Sequence, residues 1–465
     1  MQSEQKKNTG ALLFILCLGS SLVPFMGSAL NLALPYINKD LSLDAVMSGW
    51  IPTSYMLSTA ILQIPCARLA DMIGRRKVFI WGVVILTVFS ILSGLATTGT
   101  TLIIYRFLSG IGSAMMFGTS TAILTSSVSA EKRGMAMGAI AATVYFSLAA
   151  GPFIGGILTQ YLNWHSIFFV TAAVSMVVAV GGIFIIKEDW KEEVKSKFDI
   201  IGSILFAVGL SSLIYGFAEL PHLIGFICIG AGISILLVFA FYEKKQEYPV
   251  FNIRVFLENR VFRLSSLSAL INYSATFAIS FMLSLYLQYV RGLSPRDAGL
   301  ILIIQSIVQA FASLKSGRLS DRMSPTFLAT LGMSIIAVGL VGLCFITETT
   351  SYYFLGTILF FLGLGFGIFS SPNTNIIMSS VEKKYYGLAS ATMGTMRLTG
   401  QAFSMGIAIM AISVMVGNVE FSPSVHNGLM NSMRITFVIC LALCLFGIYA
   451  SSVREKKKKA DTSVK

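Results

Sequence analysis

The chain has 465 residues, 55% of them hydrophobic and only 12% charged, with a formal net charge of +13. A soluble domain carries roughly 25% charged residues, so this chain cannot cover a water-facing surface, and its excess apolar area must face lipid. The basic residues lie in short clusters between apolar runs and do not interleave with aromatics, which excludes nucleic acid as the partner and points to membrane topology as the cause of the charge.

A membrane-crossing helix needs roughly 20 mostly apolar residues. The chain offers fourteen such segments: 11–37, 46–66, 78–97, 101–127, 135–160, 165–186, 199–219, 222–242, 263–290, 297–316, 326–346, 351–378, 386–416 and 430–452. The first follows Lys6 and Lys7, as a signal peptide would. It runs too long for a signal h-region and has no small-residue cleavage site, so it is expected to be an uncleaved span. With fourteen spans both termini lie on one side. The connections on that side, with the tail, hold 28 of the 34 lysines and arginines, and one miscounted span midway would destroy that alternation. The positive-inside rule then makes both termini cytoplasmic, which suits a plasma-membrane protein.

The long basic connections near 187–198 and 243–262 bracket two spans. The expectation is therefore an all-α integral membrane protein of about fourteen transmembrane helices. It divides into a six-helix bundle (1–190), two inserted helices with basic connections (191–262), and a second six-helix bundle with a basic tail (263–465). The inserted pair carries little polarity beyond Tyr215 and Glu219 and is expected at the periphery.

Six cysteines lie in or beside apolar runs without a CxxC pair, and His165, His222 and His426 fall in three separate connections. That pattern fits helix packing and gives no metal cluster. No G-x-x-x-x-G-K-[ST] phosphate loop is present, and no His, Asp or Glu lies well inside a span, so neither an ATP-driven pump nor an intramembrane enzyme is expected. No cofactor is expected either.

Two loops repeat. Ala67-Arg68-Leu69-Ala70-Asp71-Met72-Ile73-Gly74-Arg75-Arg76-Lys77 follows the second span, and Gly317-Arg318-Leu319-Ser320-Asp321-Arg322-Met323-Ser324 follows the tenth. Matched loops at equivalent places imply two similar halves, with a substrate site between them. These loops resemble motif A of the major facilitator superfamily, G-x-L-a-D-r-x-G-r-k, although the first copy has Ala67 for the leading glycine and the second lacks the trailing Gly-Arg-Lys. The resemblance implies a gating loop built on Asp71, Gly74, Arg75, Arg76, Lys77, Gly317, Asp321 and Arg322. Gly151, Pro152, Gly155 and Gly156 in the fifth span resemble motif C, which in that superfamily marks exporters. The stretch around Arg106 in the fourth span resembles motif B. Asn31-Leu32-Ala33-Leu34-Pro35 and Asn163-Trp164-His165-Ser166-Ile167-Phe168-Phe169 are similar to the first- and sixth-span motifs of the fourteen-span drug:proton antiporters.

The acidic residue of that first-span motif falls at Met26, so this chain lacks the family's proton or cation site, and all 21 acidic residues lie in connections or near span ends. Three possibilities follow: coupling through a boundary acid, with Asp71, Glu219 and Asp297 as the candidates; coupling through another cavity group; or no proton coupling. The missing acid, with Arg106 and Arg397 present, favours neutral or anionic amphipathic substrates over cationic ones.

Arg397 lies about eleven residues into its span, which at 1.5 Å per residue places it near the bilayer midplane. Asn272 and Gln305 reach a similar depth. With Arg106, Tyr55 and Tyr145 opposite, they form a candidate cavity for a small-molecule substrate. The sequence thus predicts a secondary transporter in the lipid bilayer, functional as a monomer. It is either an exporter of amphipathic compounds, with protons as the coupling ion, or an uncoupled facilitator or exchanger of a metabolite.

Overall fold

Polar residues placed one position before long apolar runs start the helices. Asp44, Thr98, Ser294 and Ser324 each accept a hydrogen bond from the backbone N–H three residues on, at 2.7, 3.2, 3.1 and 3.4 Å. Each thereby satisfies one of the donors that a helix N-terminus leaves unpaired. Ser294 and Ser324 are followed by Pro295 and Pro325, whose missing N–H costs nothing at the first helical position.

The computed structural model describes residues 2–128, 133–187, 189, 198–320, 322–382, 386–417, 419 and 425–452. Its helices are α1 (Gln2–Ser28), α2 (Leu34–Asp40), α3 (Ala45–Ile73), α4 (Arg75–Gly94), α5 (Gly99–Ser127), α6 (Arg133–Tyr161), α7 (His165–Ile185), α8 (Ile200–Ala218), α9 (Leu223–Glu243), α10 (Ile253–Glu258), α11 (Arg260–Leu285), α12 (Pro295–Leu319), α13 (Pro325–Cys344), α14 (Tyr352–Ser379), α15 (Tyr386–Met415) and α16 (His426–Ser452). A 3-10 turn, Ala29–Leu32, continues α1, and a π turn, Tyr286–Val290, continues α11. No strand occurs among the described residues.

Thirteen of these helices are long and apolar enough to cross a membrane, and α6, at 29 residues, fills the remaining place in the expected order. Phe184, Phe241 and Phe345 are each more than 70% exposed, an arrangement that lipid solvates and water does not. Two short helices, α2 and α10, lie outside the spans.

The pairing of helices repeats between the halves. In the first, α3 packs on α5, α5 on α4, α4 on α7, α1 on α6 and α1 on α7. In the second, α12 packs on α14, α14 on α13, α13 on α16, α11 on α15 and α11 on α16. These are the same five pairings, position for position. The halves meet through α6 with α12 and through α3 with α15, which are again equivalent positions. This is a pseudo-twofold arrangement of six and six. Helices α8 and α9 form a hairpin outside it. Trp50 on α3 meets Tyr215 at 5.7 Å, and Phe217 meets Phe403 on α15 at 5.3 Å, so the hairpin leans on the seam between the halves through α8. Most of α9 is exposed.

Candidate substrate chamber

Prolines inside α1 and α6 open the centre. Pro24 and Pro152 each remove a helical hydrogen bond, and both border a chamber between the halves. The chamber has two lobes that share Leu148, Phe277 and Gln401. The smaller is bordered by Val23, Pro24, Gly27, Tyr55, Met56, Arg397 and Leu398. The larger is bordered by Ser28, Asn31, Pro152, Tyr273, Thr276, Ser280, Leu302, Gln305, Ser306 and Phe366. No Asp or Glu borders either lobe among the described residues.

Of the residues placed here from sequence, Tyr55, Arg397 and Gln305 border the chamber. Arg106 stands behind it, fully buried, its guanidinium carbon 4.2 Å from the centroid of the Tyr55 ring. Its Nε and Nη2 donate to the carbonyls of Ile51 (3.4 Å) and Met26 (3.5 Å), while Nη1 has no partner among the described residues. Tyr55 is fixed in turn by a 2.7 Å hydrogen bond between its hydroxyl and Ser113. Asn272 is fully buried but borders neither lobe, and its side-chain amide has no partner among the described residues. The side chain of Tyr145 and the whole of Asp321 lie outside the described residues.

The sequence reading missed Asn31, Tyr273, Phe277 and Gln401. Gln401 is one helical turn after Arg397, and Tyr273, Thr276, Phe277 and Ser280 follow the i, i+3, i+4, i+7 spacing of one helix face. Those spacings were the available signals.

The chamber is sealed on the face away from the termini. Ser284 donates to the carbonyl of Asn31 (2.6 Å), Gln288 to that of Leu32 (3.2 Å), and the Tyr289 hydroxyl to that of Pro35 (3.4 Å). Asn38 reaches the same hydroxyl at 3.5 Å, the Ala45 amide donates to Val419 (3.1 Å), and Arg296 donates to the Tyr161 hydroxyl (3.1 Å). All six contacts join the first half to the second. Of the motif C glycines, Gly156 lies at this meeting of the halves, while Gly151 and Gly155 let α6 approach the end of α1 within the first half. A side chain on Gly155 would strike the backbone of Ala29, and one on Gly156 would lie 2.6 Å from the carbonyl oxygen of Pro295. Gly151 lies against Ser28 in the same way.

On the opposite face the motif A loop turns back into its own half. Asp71 pairs with Arg75 at 2.7 Å, and Arg75 continues to Ser126 (2.7 Å) and the carbonyl of Ala122 (3.3 Å). Gly74 has φ +119°, a conformation glycine adopts freely, and so lets α3 turn sharply into α4. Asp189 caps the start of α4 by accepting from the Arg76 amide (3.0 Å), and Lys77 lies 4.0 Å from its carboxylate. In the second copy, Gly317 packs against Ser371, and Arg322 closes a turn onto Leu319.

Two equivalent bundles around a shared chamber, with matched loops after the second helix of each, agree with a sequence comparison. The pattern of the Major Facilitator Superfamily matches residues 16–405. The chain belongs to the major facilitator superfamily. It is a transporter and not an enzyme. Among the similar superfamily members are the riboflavin transporter RibZ of Clostridioides difficile (28% identical, covering 86% of this chain and 87% of that one) and the multidrug resistance protein Stp of Mycobacterium tuberculosis (27%, covering 86% and 74%). Another is the tetracenomycin C resistance and export protein of Streptomyces glaucescens (25%, covering 86% and 75%). A solved bacterial homologue of the human lysosomal transporter Spinster, inward-facing and unoccupied, shares this superfamily fold. Its TM-score is 0.69 at 18% identity, over 96% of this chain and 97% of that one.

The three boundary acids considered for proton coupling sit outside the chamber of this superfamily member. Asp71 is held by Arg75, Asp297 accepts from Ser294 at 2.8 Å within the cap of α12, and Glu219 ends α8 on the peripheral hairpin. The carboxylate that sequence reasoning overlooked is Glu243, 2% exposed at the end of α9, where it accepts from the Phe251 amide at 3.3 Å.

Proposed function

We propose that this superfamily member is a secondary active exporter of small amphipathic compounds, working by alternating access. The supporting observation is a polar-and-aromatic chamber bordered by both halves and sealed on one face by hydrogen bonds between them. Residues 1–190 and 263–465 rock as two bundles about it, and the inserted pair, 191–262, rides outside. The basic connections place the termini in the cytoplasm and the sealed face outside the cell, in the plasma membrane. The seal closes the outer face in this state, and an exporter loads from the other face. Motif A and motif C act as hinge and packing seam. The described chamber and seal are formed by residues of one chain, which supports a monomer as the working unit.

Resistance and export proteins among the relatives support the exporter reading, and the riboflavin transporter supports an aromatic solute as cargo. Protons are the proposed coupling ion. A second reading, a facilitator or exchanger without proton coupling, is favoured by one observation: no carboxylate borders the chamber among the described residues.

The deciding experiment places the purified chain in liposomes with an imposed pH gradient and follows riboflavin and a panel of amphipathic antibiotics. Flux that rises with the gradient supports proton-driven export. Flux indifferent to it removes antiport and leaves the facilitator. No flux of any compound, with the protein folded, removes both.

A further inference from the structure

We propose that the smaller lobe of the chamber is a seat for an anionic group, a carboxylate or sulfonate, on an aromatic substrate, with Arg397 as its counter-ion. This rests on the transport reading and names the substrate class within it.

Arg397 borders the lobe with its guanidinium carbon 4.8 Å from the centroid of the Phe117 ring. It makes no hydrogen bond or ion pair among the described residues. Five N–H donors in a fixed fork are thus left for something that enters. Gln401, one turn further along α15, offers its amide to the same space. Across the lobe stands Tyr55, and behind its ring lies the second cation, Arg106, with contacts at 3.4 and 3.5 Å and Nη1 unpartnered among the described residues. Two positive charges therefore flank the lobe, and no described acid borders it to balance them. In so apolar a site an unbalanced cation is costly, and an anion that enters gains what the protein leaves unmade.

The larger lobe suits the remainder of such a molecule. Tyr273 and Phe366 meet edge to face, 5.4 Å apart at 69°, and Phe277 stands between the lobes. That corner receives a flat ring, while Asn31 and Gln305 offer neutral hydrogen bonds. A cationic compound of the same shape would face both arginines with nothing to offset them.

The test uses three probes with one ring system, 2-naphthoate, 2-naphthamide and 2-naphthylmethylammonium, titrated calorimetrically into the full chain in detergent. Naphthoate is expected to bind at least tenfold more tightly than either partner. Arg397→Gln should bring naphthoate down to the amide's affinity and so erase that difference, and Arg397→Lys should keep part of it. A melting curve on each variant separates misfolding from lost affinity, and Arg397→Lys carries the test if Arg397→Gln does not fold. The proposal is overturned if the ammonium binds as tightly as naphthoate, if Arg397→Gln retains the preference, or if none of the three binds. Ammonium flux in proteoliposomes would remove the anion seat and leave alternating access standing.

Discussion

The Nη2 of Arg106 lies 3.5 Å from the main-chain carbonyl oxygen of Met26, the position at which the fourteen-span drug:proton antiporters carry an acidic residue. With methionine at that position, main-chain carbonyls and the Tyr55 ring are what Arg106 meets. A charge at mid-span costs about 2.5–3.5 kcal/mol on insertion scales, and a desolvated cation–π contact returns about 2 kcal/mol. The two nearly cancel, so Arg106 contributes little to stability. Arg106→Met should melt within roughly 4 °C of the wild type yet lose at least tenfold in flux. A large drop in melting temperature would assign Arg106 to the fold instead.

The seal predicts a locked state. Asn38 and Tyr289 face each other across the halves, side chain to side chain, at 3.5 Å. In a background with Cys17, Cys66, Cys228, Cys344, Cys440 and Cys444 replaced, a short bifunctional thiol reagent should join Asn38→Cys to Tyr289→Cys and stop flux, while leaving binding in detergent intact. Transport that continues at full rate with the cross-link in place would mean that this face never opens.

Much of the architecture was legible because lipid imposes it. Span length, clustered lysines and the two matched loops follow from the solvent and from a duplicated design, and they anticipated the order of helices. The chamber was legible only in part. Depth along a helix can be counted, and Arg397 and Gln305, singled out by it, border the chamber. Rotation about the axis cannot be counted from a single polar residue, since each step turns the side chain by about 100°. Asn272 stands one residue off the face formed by Tyr273, Thr276, Phe277 and Ser280, and so misses the chamber at the right depth. Arg106 needed the third dimension, because Tyr55 stands in front of it.

The two neighbouring glycines of motif C should fail differently. Gly155 lies against Ala29 within the first half, and Gly156 against Pro295 across the halves. Overpacking a close contact costs about 1–3 kcal/mol. Gly155→Ala should therefore lower the melting temperature directly. Gly156→Ala should wedge the α6–α12 seam, slowing flux several-fold with a smaller loss of stability. Parallel melting and flux measurements on the two variants check this. Equal losses in both properties would erase the distinction between packing within a half and packing between halves.

Glu243 tests whether the inserted hairpin stands outside the transport cycle. One oxygen accepts the Phe251 amide, and the other abuts Gly202 beside Oδ2 of Asp199, with neither oxygen of that facing pair given a donor among the described residues. A proton between the two carboxyls would satisfy both. Phe251 belongs to a cluster with Val250, Phe239 and Ile64 of α3, so this contact fastens the hairpin's foot to the first bundle. Glu243→Gln supplies the missing donor and should behave as wild type. Glu243→Ala leaves the amide unpaired, a loss of about 1–3 kcal/mol, and should raise hydrogen exchange in residues 199–205 and 239–256 alone. Flux should change less than twofold, because neither α8 nor α9 borders the chamber. A tenfold loss of flux with exchange raised only at the hairpin would place these two helices inside the working cycle, and the division into six, two and six would then describe the chain's ancestry and not its mechanics.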